Sequence, residues 1–388
     1  MKKVVFFFLL SIPLLLFSQQ KQPKVGLVLS GGGAKGFAHI GVLKEIEKSG
    51  LQIDYIGGTS MGAIIGGLYA SGYSASQIEK IITDTDIYTL LQDINPRQSK
   101  TFFEKEHGEK HAIVLPVNKG KIELPQGVSK GQNLLSFLTN LLSPVDSIND
   151  FSKLPIPFFC IATDVETGKQ VKLTTGFLPL ALRASGSFPT LLDPVEINSK
   201  LLIDGGIANN FPVDEMRKKG VDIIIGVDVQ APLYNKEKIK TALDVLSQIS
   251  SYQIHRDRPR QIAETDVHIQ PDIQNYSVVS FDKVKEILDK GNEIALKFTK
   301  VFDSIAALQP HKKIRKKIQQ TRFKFLLSAI EIKGNKNHTR AYVLGNLKMQ
   351  EGDSVSYNEV AKRIGYLSST ENFQMINFSL KDTVNGKK

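Results

Sequence analysis

The sequence predicts an α/β fold, a three-layer α/β/α sandwich on a mainly parallel sheet, followed by a small α+β module. Three observations carry that expectation. Short apolar β runs alternate with helical apolar spacings through the first three quarters of the chain. Glycine-rich turns mark the steps from strand to helix. Beyond a basic stretch ending at Lys324, the order changes to β-α-α-β. The 388 residues leave room for two or three domains at about 100–200 residues each. With 41% hydrophobic and 23% charged residues, the chain has the composition of a folded protein rather than a disordered one. Its single cysteine excludes a disulfide framework and any multi-cysteine metal site.

Taken in order, Met1-Lys2-Lys3 and the apolar run Val4 to Phe17 read as the charged and apolar regions of a secretory signal peptide, residues 1–18. The run is shorter than the ~20 residues that span a bilayer as a helix. Cys160 lies far from it, which excludes a lipoprotein anchor. Val25 to Leu29 reads as a strand, Ser30 to Gly33 as a loop and Phe37 to Lys48 as a helix. Ile53 to Ile56 is a second strand, and Met61 to Ala70 a buried helix rich in small residues. Thr85 to Asn149 is mixed and long enough for a lid. The pattern then resumes with strands at Pro157 to Thr163, Lys200 to Ile203 and Val221 to Val229. Helices fall at Pro179 to Ser185 and Val278 to Phe298. The formal charge of +11 is partly local, with seven Lys/Arg and no acid between Lys312 and Lys324. That stretch reads first as a solvated linker, residues 308–324, and next as a membrane-surface contact. Nucleic acid is not expected as a partner of an exported chain.

Gly58-Thr59-Ser60-Met61-Gly62 matches G-x-S-x-G between a predicted strand and a predicted helix, the setting of a nucleophile elbow. Gly31-Gly32-Gly33 follows the first strand, and parallel topology would bring it beside Ser60, where converging backbone N–H groups form an oxyanion hole. Lys35 adds positive charge nearby. The same glycines fit a second reading: Gly31, Gly33 and Gly36 match G-x-G-x-x-G, with Asp54 at a suitable distance for a ribose contact, so a dinucleotide-binding enzyme stays open here. An inactive secreted binding module is the other alternative. No histidine stands in catalytic company. Asp204-Gly205-Gly206 ends a predicted strand, and a buried Asp204 could take the Ser60 proton directly.

In that order, Ser30-Gly31-Gly32-Gly33-Ala34-Lys35-Gly36, the Ser60 pentapeptide and Asp204-Gly205-Gly206 resemble the patatin-like phospholipases, as do Ala184-Ser185 and Phe188-Pro189. The resemblance implies a lipid acyl hydrolase over residues 24–307. It assigns Ser60 as nucleophile, Asp204 as base and Gly31, Gly32 and Gly33 as the oxyanion loop, supported by Lys35, Gly58, Gly62, Gly205 and Gly206. No cofactor and no metal is implied, and the expected partner is a phospholipid or other acyl ester at a membrane surface. Lys35 stands where that family usually has arginine, so its charge is kept without the planar fork. Residues 325–388 resemble a POTRA domain through Glu331 to Asn335, Glu351-Gly352-Asp353 and a closing strand at Phe373 to Leu380. Signal, acyl hydrolase and POTRA together resemble the patatin autotransporters, but the outer-membrane barrel that follows in that family is missing from this sequence. The resemblance implies an exported protein of a Gram-negative-type envelope whose POTRA-like domain contacts an outer-membrane barrel.

Overall fold

The protein is described by a computed structural model covering residues 22–93, 117–118, 121–122, 127–230, 232–233, 235–311, 318, 324–370, 372–373 and 375–388. Residues 1–18, read above as a signal peptide, and most of the basic stretch lie outside the described residues. The central sheet has eight strands: β1 (Val25–Leu29), β2 (Tyr55–Thr59), β3 (Phe158–Asp164), β4 (Gln170–Leu173), β5 (Val195–Ile197), β6 (Lys200–Asp204), β7 (Ile223–Val227) and β8 (Val267–Ile269). The helices used below are α1 (Ala38–Ser49), α2 (Met61–Ala70), α3 (Ala75–Thr83), α4 (Ile87–Leu91), α5 (Gln132–Leu141), α6 (Leu178–Ser185), α7 (Ala242–Ala263), α8 (Val284–Leu296) and α9 (Thr299–Ala307). Two more, α10 (Arg340–Leu347) and α11 (Tyr357–Ser368), lie in the tail.

Strand order is β8-β7-β1-β2-β3-β6-β5, with β4 also paired to β3. Four pairings are parallel, from β8 through β7, β1 and β2 to β3. The other three, β3 with β4, β3 with β6 and β6 with β5, are antiparallel. The sheet is therefore mixed, which corrects the expectation of a mainly parallel one. The cause is connection length. Helices carry the crossovers of the parallel half, whereas only Val165 to Lys169 join β3 to β4 and only Asn198-Ser199 join β5 to β6. Links that short reverse the chain and cannot cross over.

Pleating assigns the two faces. Val25, Leu27, Leu29, Phe158, Cys160, Ala162, Ile225 and Val227 join the large core against α1 and α2. Val28, Phe159, Ile161 and Ile224 point the other way, against Phe211, Val213 and Met216. Continuous apolar runs are what a sheet covered on both faces requires. The tail has its own apolar cluster, built on Leu327, Val343, Leu347, Val360 and Ile364. Its predicted strands are largely absent. Only Phe325–Leu326 of the first is a strand, and Phe373 and 375–380 form none. Side chains take the backbone partners instead: Glu351 accepts from Ile330 N, Arg340 donates to Ile330 O, and Gln132 pairs with both Ile376 groups.

Candidate active site

β1 and β2 run parallel, so the loops at their ends meet on one edge of the sheet. Ser60 follows β2 as the residue before α2 and has φ 54° and ψ −125°. That conformation is strained by ~1–3 kcal/mol for a residue with a Cβ. It turns the chain sharply and presents the hydroxyl at the helix N-terminus. A Cβ at Gly62 would lie 2.3 Å from the carbonyl oxygen of Leu29, and one at Gly58 would lie 2.6 Å from that of Gly62. Both positions exclude a side chain if the strand and helix are to approach this closely. The buried Ser185 hydroxyl accepts from Ser60 N at 3.0 Å and donates to Ile161 O at 2.5 Å, which pins the turn.

The antiparallel half delivers Asp204. β3 overshoots β2, because Thr59 is level with Ile161 while β3 continues to Asp164. β6 pairs with that overhang and runs back along it, so that Asp204 stands opposite Ala162, at the level of Ser60. Ser60 Oγ donates to Asp204 Oδ2 at 2.6 Å. Gly206 N donates to Oδ1 at 2.7 Å, and a Cβ at Gly205 would collide with Ile161 O. Burial pushes the Asp204 carboxyl up to about 6, opposed by the bonds from Ser60 and Gly206. At neutral pH it is ionised and can accept a proton from the hydroxyl it already holds.

The glycine loop divides its work. Gly31 N donates to Asn210 O at 3.1 Å, and Asn210 Nδ2 donates to Gly31 O at 3.1 Å. Gly31 therefore anchors the loop and is not a free donor, a correction to the expected trio. The N–H groups of Gly32 and Gly33 have no acceptor among the described residues. Gly33 has φ +56°, and a Cβ there would lie 2.2 Å from Val278 O, so only glycine fits. Lys35 is buried in the pocket wall, where burial lowers its ammonium to about 8 against the pull of Asp228.

The ribose contact of the dinucleotide reading fails on position. Asp54 precedes β2 and bonds Val25 N at the start of β1, five strand residues and roughly 16 Å from the glycine loop. Among the described residues, no histidine is bonded to Ser60, whose hydroxyl donates to Asp204. His39 Nε2 donates to Ser30 O at 2.9 Å, and burial lowers its pKa to about 4. His268 pairs with Asp228 at 3.2 Å, and His255 lines the pocket without a hydrogen bond to Ser60. His107 and His111 lie outside the described residues.

Ser60 and Asp204 line a largely apolar pocket, with Ile64, Ile82, Leu134, Phe137, Leu138 and Leu191 among the other lining residues. Sequence reasoning missed what braces it. Arg183 on α6 is fully buried and donates to Lys130 O at 2.6 Å, Asp193 O at 2.9 Å and Ser187 Oγ. One arginine in the otherwise apolar run Leu178 to Ser185 was the available signal. Asp93 bonds the N–H groups of Gln132 and Asn133 and so caps α5, the helix that forms one wall.

The family described as patatin-like phospholipase matches residues 27–217. Lysophospholipase NTE1 of Kluyveromyces lactis is 29% identical over 297 residues, 69% of this chain and 18% of its own. Lysophospholipase NTE1 of Meyerozyma guilliermondii is 30% identical over 294 residues, again 69% and 18%. The chain thus spans less than a fifth of the length of these relatives. Among solved structures, VipD from Legionella pneumophila aligns with TM-score 0.41 and 14% identity over 72% of this chain and 67% of its own. The stretch that matches the patatin-like phospholipase family, residues 27–217, holds both Ser60 and Asp204.

Proposed function

We propose that this chain is a serine lipid acyl hydrolase of the phospholipase A or lysophospholipase type, working through a Ser60–Asp204 dyad. The observation that carries the reading is the 2.6 Å bond from Ser60 Oγ to a buried carboxylate in a largely apolar pocket. Ser60 Oγ attacks the ester carbonyl carbon while its proton passes to Asp204 Oδ2. The negative charge on the carbonyl oxygen is held by the N–H groups of Gly32 and Gly33 at a loop that opens into a turn of helix. Collapse breaks the ester bond, and the leaving alkoxide takes the proton from Asp204. Water then attacks the acyl-Ser60 carbonyl, gives a proton to Asp204, and the fatty acid leaves as Ser60 Oγ recovers it.

The same reading takes residues 24–307 as the hydrolase unit, 308–324 as a basic linker and 325–388 as a POTRA-like module. It also takes the protein as exported to the periplasm or outer membrane, acting at a lipid surface, with the tail contacting a barrel. Labelling with a fluorophosphonate probe and mapping of the modified peptide tests the core of the proposal. Modification of Ser60 that is lost in Ser60→Ala supports it. Absence of labelling in the folded chain, or labelling elsewhere, sinks it.

A further inference from the structure

We infer that the tail determines which acyl chains the pocket accepts, because it holds helix α5 as the pocket wall through the positioning residue Gln132. This rests on the acyl-hydrolase reading above. The two faces of α5 have different partners. Leu134, Phe137 and Leu138 line the pocket. At helical spacing Gln132 lies on the opposite face and Asn140 on the flank, and both bond to the tail. There, Gln132 Nε2 donates to Ile376 O at 2.9 Å and Ile376 N donates to Gln132 Oε1 at 2.8 Å. The Gln132 side chain thus acts as a strand-like partner for one tail residue, and it is buried. Lys130 Nζ donates to Phe373 O at 3.1 Å, and Asn140 Nδ2 donates to Asn358 Oδ1 at 2.6 Å. Beyond the helix, Tyr357 OH donates to Asp146 Oδ2 at 2.5 Å. Met375 adds an apolar contact to the core of the main unit.

A ten-residue helix has little stability of its own, and its position is set by what packs on it. From the main unit α5 is held at its first turn by Asp93 and at its last by Tyr73, whose hydroxyl donates to Leu141 O at 2.6 Å. Along its outer face the described hydrogen bonds come from the tail. A wall that shifts outward by a fraction of an ångström forfeits contact with a long chain lying against it. An acetyl group, which ends beside Ser60, does not reach the wall. The tail therefore acts on long-chain substrates and leaves the chemistry at Ser60 untouched.

The test uses the full chain with Gln132→Ala and Tyr357→Phe, singly and together, assayed on p-nitrophenyl acetate and p-nitrophenyl dodecanoate. In the double variant the KM for the dodecanoate is expected to rise roughly fivefold or more, with kcat/KM for the acetate held within about twofold. Tyr357→Phe deletes one hydroxyl and no packing, so it keeps the fold and moves the same KM by a smaller factor. A dodecanoate-to-acetate ratio unchanged in every variant overturns the inference. So does a parallel fall on both esters, which would mean that Gln132 acts on the fold or the chemistry rather than on the wall. An intact, folded chain that hydrolyses neither ester overturns the acyl-hydrolase reading and this inference with it, and is told apart from the other failures because no variant is needed to see it.

Discussion

Replacing Asp204 by asparagine is expected to make the protein more stable while removing its activity. The carboxyl is buried, and its pKa rises from 3.8 to about 6 because burial disfavours the charged form. The folded state therefore holds its proton more tightly than the unfolded one. Its contribution to stability is fully present below 3.8 and is lost as pH rises through about 6. At about 1.4 kcal/mol per pKa unit, the loss above pH 7 comes to roughly 3 kcal/mol. Asparagine has no charge to desolvate. Its Oδ1 still accepts from Gly206 N and its Nδ2 can donate to Ser60 Oγ, so the two bonds at this position survive. Partial solvation of the charge reduces the gain, so about 1–3 kcal/mol is expected at pH 8. Denaturant titration of the two proteins at pH 4 and pH 8 measures it. The curves should nearly coincide at pH 4 and separate at pH 8 with the variant the more stable. A variant equally stable at both pH values, or less stable at pH 8, refutes the claim that Asp204 is a buried charge held against its preference. Ester turnover by the intact enzyme should rise with pH through about 6, as Asp204 loses its proton, and should be absent in the variant.

Ser60→Ala is expected to abolish ester turnover with the fold retained, read by initial rates beside circular dichroism. Substantial turnover by the folded variant would remove Ser60 from the chemistry. His39→Ala, His255→Ala and His268→Ala are expected to keep the proton transfer intact, and pH-rate profiles that retain the limb near 6 check this. Loss of turnover by orders of magnitude in a stable histidine variant would point to a triad instead. Gly32→Ala should lower kcat far more than it raises KM, since a Cβ there meets Val229 Cγ2 at 2.7 Å and displaces a donor worth roughly 2.7–4 kcal/mol. A changed KM with an unchanged kcat would make this loop a binding element.

The legible part of the molecule is the part whose pattern is local. β1 was readable to the residue, since Val25 to Leu29 is apolar throughout and ends in glycines. The second strand was read two to three residues early, because Ile53 looks like strand while Gly57 and Gly58 do not. The three glycine motifs were readable because each needs a small residue at a fixed offset. What escaped was set by distant partners. Helix α7 has exposed Val245, Ile249 and Tyr252, while Ser247 and Gln261 are buried, so it shows no apolar stripe. The antiparallel half depends on two short reversals whose turn signals, Gly168 and Asn198-Ser199, are local and do not say which strands they join. The tail strands failed because side chains of Gln132, Arg340 and Glu351 compete for their backbone groups, and nothing within the tail's own pattern foretells Gln132.

The mixed topology and the chemistry are one fact seen at two scales. A wholly parallel sheet would put the loops after β1, β2 and β3 on one edge, but an aspartate at the end of a further parallel strand would point away from the sheet alongside them. Here β3 extends past Thr59, and β6 descends along the extension until it stops opposite Ala162. The carboxylate thus arrives from above, facing the Ser60 hydroxyl that the strained elbow lifts toward it. The strain at Ser60 and the desolvation of Asp204 both weaken the fold at the same point, and neither would persist without the packing around them. Gly62 against Leu29, Gly205 against Ile161 and the Ser185 hydroxyl between Ser60 and Ile161 supply it. Each ties the serine and aspartate turns to β1 or β3, the strands at the centre of the sheet. The least favourable conformations are therefore held by its most buried strands, and the apolar pocket walls, which only have to receive a chain, are left largely to helices such as α3, α4 and α5.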